Sequence, residues 1–531
     1  MAQLKLEDLQ AYVGAYPKVP VYKEIFSDIR TTISILKVLK RVSKTAFLLE
    51  SADNKEQWGR YSFLGFDPVL EVACKDGRVT VKGAITQVYE QADPNEVIRR
   101  IMSEYKSPII PGLPPFTGGL VGYFGYEYIK YSEPSLRAGF EAQQKRIESE
   151  QNGIQSEGTQ DNLQSEENHD AQVNGNNPSL IPQLNDVDML LFDKVVAIDH
   201  YKKKIILIAN IGTDELETNY YKAQTELDSL ARLLATGEEA DVPGGELLGD
   251  FEDEYNEDQF IKAVGTVKQH IQEGDIFQGV LSNARRAPFK GSLLNAYRVL
   301  RTMNPSPYMF YLSSPSLELT GASPETLVKV TGRRIDTFPI AGTMPRGATP
   351  EEDERYEEIL KNDEKELAEH NMLVDLGRND LGRVSEFGSV KVTTLREVQR
   401  FSHVMHICSA VTGTLQAQYD ALDALKATLP AGTLSGAPKI RAVQILQELE
   451  PSKRGVYAGA IGYLSMTGNM DTCIGIRMAV AKDGVVEVRA GAGIVRDSVP
   501  RKEYEETRNK ARSMIEAIRR GREVTTYDIV D

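Results

Sequence analysis

Residues 471–511, DTCIGIRMAVAKDGVVEVRAGAGIVRDSVPRKEYEETRNKA, constrain this chain more tightly than any other stretch. Two apolar runs meet at a tight turn, and a helix follows. In the first run Ile474, Ile476, Met478 and Val480 alternate with Cys473, Gly475, Arg477 and Ala479, the period of a strand with one face in a core. The second run, 485–493, turns glycine-rich at its end. With Lys482, Asp483 and Gly484 as the hairpin loop, Arg477 falls on the face of Gly491 and Gly493, beside Gly475. That face holds a cation, bare backbone and almost no side-chain bulk. It suits a small anionic ligand, because glycine lets backbone N–H groups approach and arginine takes a carboxylate in bidentate fashion. A tight sheet crossing, with the glycines serving packing, accounts for the same pattern.

The 531 residues suffice for a large core and roughly two to four domain-sized units. Hydrophobic residues at 41% and charged residues at 26% mark a globular protein, and no run approaches the ~18 apolar residues of a membrane helix. The N-terminal stretch lacks both a signal-peptide apolar core and transit-peptide character, so a cytoplasmic location and no membrane partner are expected. Cys74, Cys408 and Cys473 are widely spaced and match neither a disulfide framework nor a zinc pattern. A formal charge of −15 argues against nucleic acid as the main partner. It also means that an anionic substrate needs local help from a metal ion or a buried arginine.

In the first half, short strand-like runs at 45–51, 61–66, 69–73 and 79–81 separated by turns read as an antiparallel sheet. Residues 97–105 form an amphipathic helix, and the glycine–aromatic stretch 115–130 reads as a close-packed strand crossing. From 139 to 182 the chain turns rich in Gln, Asn, Glu and Ser; too few apolar residues remain to offset the entropy of ordering, so this is expected to be a disordered insertion. The run 189–198 resumes the fold and 205–211 pairs with it, and an acidic, helix-rich segment leads to the second half. Two regions are expected, 1–250 and 251–531. The second opens with a helix carrying Phe260, Val264, Val267 and Ile271 at core spacing and later holds a long charged helix from 351 to about 376. Strands and helices do not alternate strictly, so the fold class is α+β, with large antiparallel sheets flanked by helices.

Several constellations carry chemistry. In ELAEHNMLVDLGRNDLGR, Glu366, Glu369 and Leu373 are spaced i, i+3, i+7, which puts both acids beside an apolar face. The C-terminal helix, with Ala511, Met514, Ile515 and Ile518 as its buried stripe, carries Glu505 and Glu506 near its start. Solvated carboxylates explain either pattern alone. A Mg²⁺ ion held by one glutamate from each helix is the functional reading, since Mg²⁺ prefers few protein carboxylates. FSHVMHICS places His403 and His406 three apart; without a third ligand this is a weak zinc signal, but either imidazole can serve as acid or base. In 433–449, Ser435 or Gly436 caps a helix with Pro438 in its first turn, and Tyr457 stands among small residues in VYAGAIGYL.

Taken together, PIAGT, EHNMLVDLGRNDLGR, QRFSHVMHICS, GTLSGAPKIRA and AGAGIVRDSVP with ETRNKA resemble, in order and along almost the whole chain, the anthranilate synthase component I family of chorismate-utilising enzymes. The resemblance implies an α+β fold and conversion of chorismate and ammonia to anthranilate and pyruvate in tryptophan biosynthesis. It implies that Glu369 and Glu506 are ligands of Mg²⁺, and that Gly342, Thr343, Tyr457, Arg477, Gly491, Ala492 and Gly493 bind chorismate. Glu369 is counted among the catalytic positions with His406, which matches the histidine linked to loss of the ring hydroxyl and aromatisation. Aminodeoxychorismate synthases, the alternative reading, typically carry lysine at the place of Ala341. Relatives that add water carry lysine where Gln278 stands, the third catalytic position. With no amine at either place the nucleophile is ammonia, and none of the three cysteines has the glycine-flanked setting of a glutaminase. A partner glutamine amidotransferase subunit in a heterotetramer is therefore implied. Leu49, Glu50 and Ser51, with Pro307, Tyr308 and Met309, match positions that bind tryptophan as feedback inhibitor; plain core packing is the competing explanation. A catalytically idle tryptophan-sensing subunit would not need Glu369, Glu506, His406 and Arg477 intact.

Overall fold

The computed structural model describes residues 5–51, 59–158, 181–400 and 404–524. Among them, thirteen strands form one sheet and twelve another, and every ladder between them is antiparallel. The centre of the first sheet runs through Ala46–Glu50, Tyr308–Ser313, Glu318–Ser323, Met478–Lys482, Val485–Ile494 and Gln278–Lys290. The centre of the second runs through Val404–Thr414, Arg334–Thr337, Thr326–Thr331, Met470–Ile474, Ala460–Ser465 and Gly119–Phe124. Both sheets take strands from both sides of residue 250, so the two halves of the chain share each sheet.

Aromatic side chains fill the space between the sheets. Phe47 and Phe63 from the first meet Tyr123 and Tyr463 from the second, with Phe116 between, its ring centroid 4.5 Å from that of Tyr463 and 5.5 Å from that of Phe63. Helices cover the outer faces. Ile35, Leu227, Leu300 and Met514 lie in the core outside the first sheet, and Ile98, Leu425 and Val443 in the core outside the second. The α+β expectation holds. The helix Glu257–Glu273 buries Phe260, Val264 and Val267, and Asn256 and Gln259 form its capping box.

Four local expectations are corrected. Residues 139–158 are not disordered: they belong to the helix Arg137–Gly158, in which Phe140, Gln143 and Ile147 are buried. Arg146 there donates to the carbonyls of Gln447, Glu448 and Glu450, satisfying the open end of the helix Lys439–Leu449. Residues 159–180 of that stretch lie outside the described residues. The run 189–198 is two strands, Val187–Phe192 and Lys194–Asp199, one in each sheet. The long charged helix is interrupted at Asp363, whose carboxylate accepts from Lys365 N–H and Glu366 N–H and starts Glu364–Gly382 afresh. Ser435 does not cap Lys439–Leu449; its hydroxyl donates to the Ala431 carbonyl, and Gly436–Ala437 pairs with Gln278 and Gly279 instead.

The run that begins at Ile474 is also two strands. Met470–Ile474 belongs to the second sheet and Met478–Lys482 to the first, so the chain crosses between sheets at 475–477. A Cβ on Gly475 would lie 2.3 Å from the Val456 carbonyl oxygen, which is why the crossing needs glycine. The neighbouring chain crosses in the opposite direction, from Glu318–Ser323 into Thr326–Thr331. No helix among the described residues is long and apolar enough to cross a membrane. Phe116→Ala is expected to lower unfolding free energy by about 3–5 kcal/mol, the cost of an emptied aromatic site, measured by urea denaturation; a loss below ~1 kcal/mol would contradict the inter-sheet packing described here.

Candidate functional site

Where the two crossings meet, a cleft of about 580 Å³ opens, walled by Gln278, Ala341–Thr343, His406, Tyr457, Arg477, Gly491 and Gly493 and by residues of two helices. The volume falls within the range of small-ligand sites. Arg477 reaches it by an irregular route. The hairpin loop is the two residues Asp483 and Gly484, not three, and Lys482 pairs with Val485. Continued to Arg477, that register would turn its side chain to the face away from Gly491 and Gly493. Arg477 instead has φ of +50°, sparsely populated for a residue with a Cβ, and this break in the strand turns it back into the cleft. Ala492 does not line the cleft: its side chain is fully buried on the other face, beside Leu281 and Ile494.

The charges divide the cleft into ends of different character. The Arg477 guanidinium forms no hydrogen bond or ion pair with any described residue; burial depresses its pKa, opposed by Glu325. The other arginine in the wall, Arg489, is already held by Glu487 and Glu254, each at 3.5 Å, and by Ser282. Arg477 is thus the arginine left to meet an anion. Around it the wall is bare: a Cβ on Gly491 would come within 2.9 Å of the Tyr457 hydroxyl, and one on Gly493 within 2.8 Å of Gln278 Nε2.

Glu366 and Glu369 from Glu364–Gly382 and Glu503 and Glu506 from Pro500–Gly521 enter the same cleft. Burial, reinforced by the charge of Glu369, raises the pKa of Glu366; burial also raises that of Glu503, and Glu506 adds to it. Glu369 accepts from Gln278 Nε2 at 3.1 Å, and Glu506 pairs with Lys510 at 2.7 Å. The ammonium of Lys510 also donates to the Gly491 carbonyl at 3.1 Å. Glu503 and Glu506 repeat the i, i+3 spacing of Glu366 and Glu369, a signal that could have found Glu503 in the sequence. Glu505 does not line the cleft and lies 3.7 Å from Arg501.

His406 stands on Val404–Thr414 with Nδ1 2.9 Å from the Gly342 carbonyl and 3.1 Å from the Thr343 hydroxyl. A carbonyl only accepts, so Nδ1 carries the proton and the neutral ring keeps its lone pair on Nε2. Burial lowers the pKa of His406 and favours that neutral form. His403 lies outside the described residues. Glu325, at the other crossing, drew no attention in the sequence because a single acid after proline has no periodic signature. Its carboxyl is buried and pushed up to about 8, by desolvation that outweighs the Thr433 hydroxyl, Arg477 and Lys510. It is a neutral acid near pH 7.

Leu49, Glu50, Ser51, Pro307, Tyr308 and Met309 line a second cavity of about 270 Å³ between the sheets, room for one amino acid-sized ligand. Phe63 and Tyr463 give it aromatic walls, and Arg60, Lys329 and Asp471, which the sequence did not single out, add charges of both signs. The Tyr308 hydroxyl bonds Asp471 at 2.8 Å and the Thr326 hydroxyl at 2.9 Å.

Two crossing strands set an unpaired arginine in one cleft with carboxylates from two helices, an arrangement suited to a small polyanion, and the profile of the chorismate binding enzyme family matches residues 45–516. The chain belongs to that family. Within it the chain belongs with the component 1 proteins of anthranilate synthase: it is 42% identical over 521 residues to anthranilate synthase component 1 of Aquifex aeolicus, covering 97% of each chain. It is 41% identical to that of Acinetobacter calcoaceticus, covering 96% of this chain and 97% of the relative. The crystal structure of anthranilate synthase component I from Streptococcus pneumoniae superposes with a TM-score of 0.70 at 38% identity, over 86% of this chain and 92% of that one. The menaquinone-specific isochorismate synthase of Escherichia coli shares the fold, with a TM-score of 0.63 at 18% identity over 97% of this chain and 98% of that one. Arg477→Ala is expected to weaken chorismate binding by about 1.5–3 kcal/mol, roughly 10- to 150-fold, measured by titration calorimetry, and unchanged affinity would remove Arg477 from the anion site.

Proposed function

We propose that the chain converts chorismate and ammonia to anthranilate and pyruvate, the first committed chemistry of tryptophan biosynthesis. The observation that carries the reading is the pairing, in one cleft, of an arginine without a protein partner and carboxylates from two helices. Chorismate carries two carboxylates, one on the ring and one on the enolpyruvyl arm. Arg477 takes one of them, with the Gly491–Gly493 backbone leaving room for its approach. Carboxylate oxygen is the donor a hard divalent cation takes, and binding one would draw the four glutamates together from the spread positions they hold along the cleft. Glu366, Glu369, Glu503 and Glu506 would hold Mg²⁺, which when bound neutralises the ring carboxylate.

The chain's own groups supply the proton transfers. Ammonia adds to the ring as hydroxide leaves, and hydroxide is a poor leaving group unless protonated. Glu325, neutral near pH 7, is the donor for that step. In the second elimination the ring loses a proton, the C–O bond to the enolpyruvyl arm breaks, and the arm's methylene gains a proton as pyruvate departs. Neutral His406, with Nδ1 held by Gly342, is placed to accept the ring proton. Ala341 and Gln278 bring no amine into the cleft, which favours ammonia over a lysine nucleophile and this reaction over formation of aminodeoxychorismate. The ammonia comes from a glutamine amidotransferase partner: all three cysteines of the chain are buried, and burial raises the thiol pKa of Cys74 and Cys473.

The second cavity is read as the feedback site for tryptophan. Its strands continue into the catalytic cleft: Cys473 lines the cavity and Arg477 the cleft four residues on, while Tyr308 holds Thr326, the neighbour of Glu325. An inhibitor that spread the sheets there would move both crossings.

The purified chain with chorismate, Mg²⁺ and ammonium salt is expected to produce fluorescent anthranilate without its partner, and no product under those conditions would refute the reading. Glu506→Gln is expected to reduce Mg²⁺-dependent turnover to background while leaving the melting temperature in place; full activity would refute the metal assignment. Ser51→Phe is expected to raise the tryptophan concentration for half-inhibition by about tenfold or more, ~1.4 kcal/mol of binding, and an unshifted inhibition curve would take Ser51 out of the effector site.

A further inference from the structure

Glu325 belongs to two spaces. One is the catalytic cleft; the other is a small chamber of about 40 Å³ behind it, lined by Thr337, Gly377, Asp380, Thr428 and Thr433. A water needs roughly 10–15 Å³ on this measure, so the chamber has room for about two or three. Thr433 also faces both spaces, and its hydroxyl donates to Glu325 Oε1 at 3.2 Å. Asp380, which lines the chamber, is bound to Lys439 Nζ at 2.8 Å, and both side chains keep some contact with solvent, 9% and 10% exposed. Lys439 also donates to the Thr428 carbonyl at 3.1 Å. Asp380, Thr428 and Lys439 do not line the cleft.

The chemistry gives such a chamber a use. Glu325 lends its proton to the departing hydroxyl, and a second proton is needed at the enolpyruvyl methylene before either product can leave. Between the two steps the cleft is filled, and the burial that keeps Glu325 protonated also keeps it from bulk water. We propose that the chamber is the proton inlet of the catalytic cycle: a proton from solvent reaches Asp380, passes through water in the chamber beside Thr433, and reloads Glu325 while the cleft is occupied. One O–H bond breaks at Asp380 as one forms at Glu325, and no electrons change hands. Each turn uses two protons, at the departing hydroxyl and at the enolpyruvyl methylene, and sheds two, from the added ammonia and from the ring to His406. Both shed protons return to solvent, so with Glu325 reloaded twice per turn the cycle balances. The charged groups bearing on the path are Lys439 and Arg383 at Asp380, and Arg477 and Lys510 at Glu325. Asp380 is a positioning residue in this scheme, acting through Glu325 on the substrate.

The inference rests on Glu325 as the acid, so two sets of variants separate the claims. Asp380→Asn in the full-length chain is expected to lower kcat for anthranilate about tenfold, within the reach of a lost acid–base path, at unchanged KM for chorismate. The aminated, still non-aromatic intermediate is expected to appear in solution, identified by mass spectrometry. Thr433→Val, which keeps the shape and leaves the ion pair alone, is expected to release the same intermediate. Glu325→Gln is expected to form neither intermediate nor anthranilate. Should both Asp380→Asn and Thr433→Val fold and yield anthranilate as the only product, the inlet is overturned whatever their rates. If Glu325→Gln keeps the parent rate, the acid assignment falls instead.

Discussion

The site depends on one constraint: two adjacent antiparallel strands leave one sheet and enter the other side by side. At the crossing their backbones cannot continue the ladder, so each is held by specific bonds. Ala322 N–H donates to the Arg477 carbonyl at 3.1 Å, Ile474 N–H to the Glu325 carbonyl at 3.0 Å, and the Ser323 hydroxyl to the Ile474 carbonyl at 2.7 Å. The residues freed from the ladder are a cation and an acid, and both turn into the same cleft. A regular strand at this point would have sent Arg477 to the opposite face. The strained φ of Arg477 is therefore part of how the site is made.

The same crossing joins the two cavities. Tyr308–Ser313, Thr326–Thr331 and Met470–Ile474 each line the second cavity, and the cleft residues Glu325 and Arg477 lie one residue before Thr326 and three after Ile474. Packed interiors resist small adjustments, so these strands tie the packing between the sheets to the geometry of the cleft.

Electrostatics set the cleft apart from the rest of the molecule. The chain as a whole carries −15, and an anionic substrate is repelled at long range. Behind the wall, Arg454, fully buried, takes both oxygens of Glu450 at 2.6 and 2.7 Å and donates to the carbonyls of Val280 and Leu434, which line the cleft. That bidentate pair holds two wall segments in place and stacks beneath Tyr126, 4.4 Å from its ring. The Arg477 guanidinium is spared such a partner, and four glutamates line the same cleft.

Much of this was legible in the chain itself. Strand-like runs marked several strands of the first half and the last hairpin, the apolar stripe of the C-terminal helix was read correctly at Ala511, Met514 and Ile518, and motif order pointed to the family that the comparisons show. Gly342, Thr343, Tyr457, Arg477, Gly491, Gly493, His406, Gln278, Glu369 and Glu506 were all singled out and all line one cleft. Residues with a periodic or motif signal could be found because local spacing carries that information. Glu325 could not, since its raised pKa comes from desolvation by residues hundreds of positions away, and Glu503 was passed over although it repeats the spacing of Glu366. Nor could alternation along 474–480 show that the run splits between two sheets, because each half obeys the strand period and only the partner strands differ. The sequence by itself determined which residues carry charge, which turns admit glycine and which faces are apolar. Tertiary structure alone decided which strands cross, and with that which arginine stays unpaired and which glutamate is kept protonated, because burial and long-range neighbours exist only once the sheets have closed on each other.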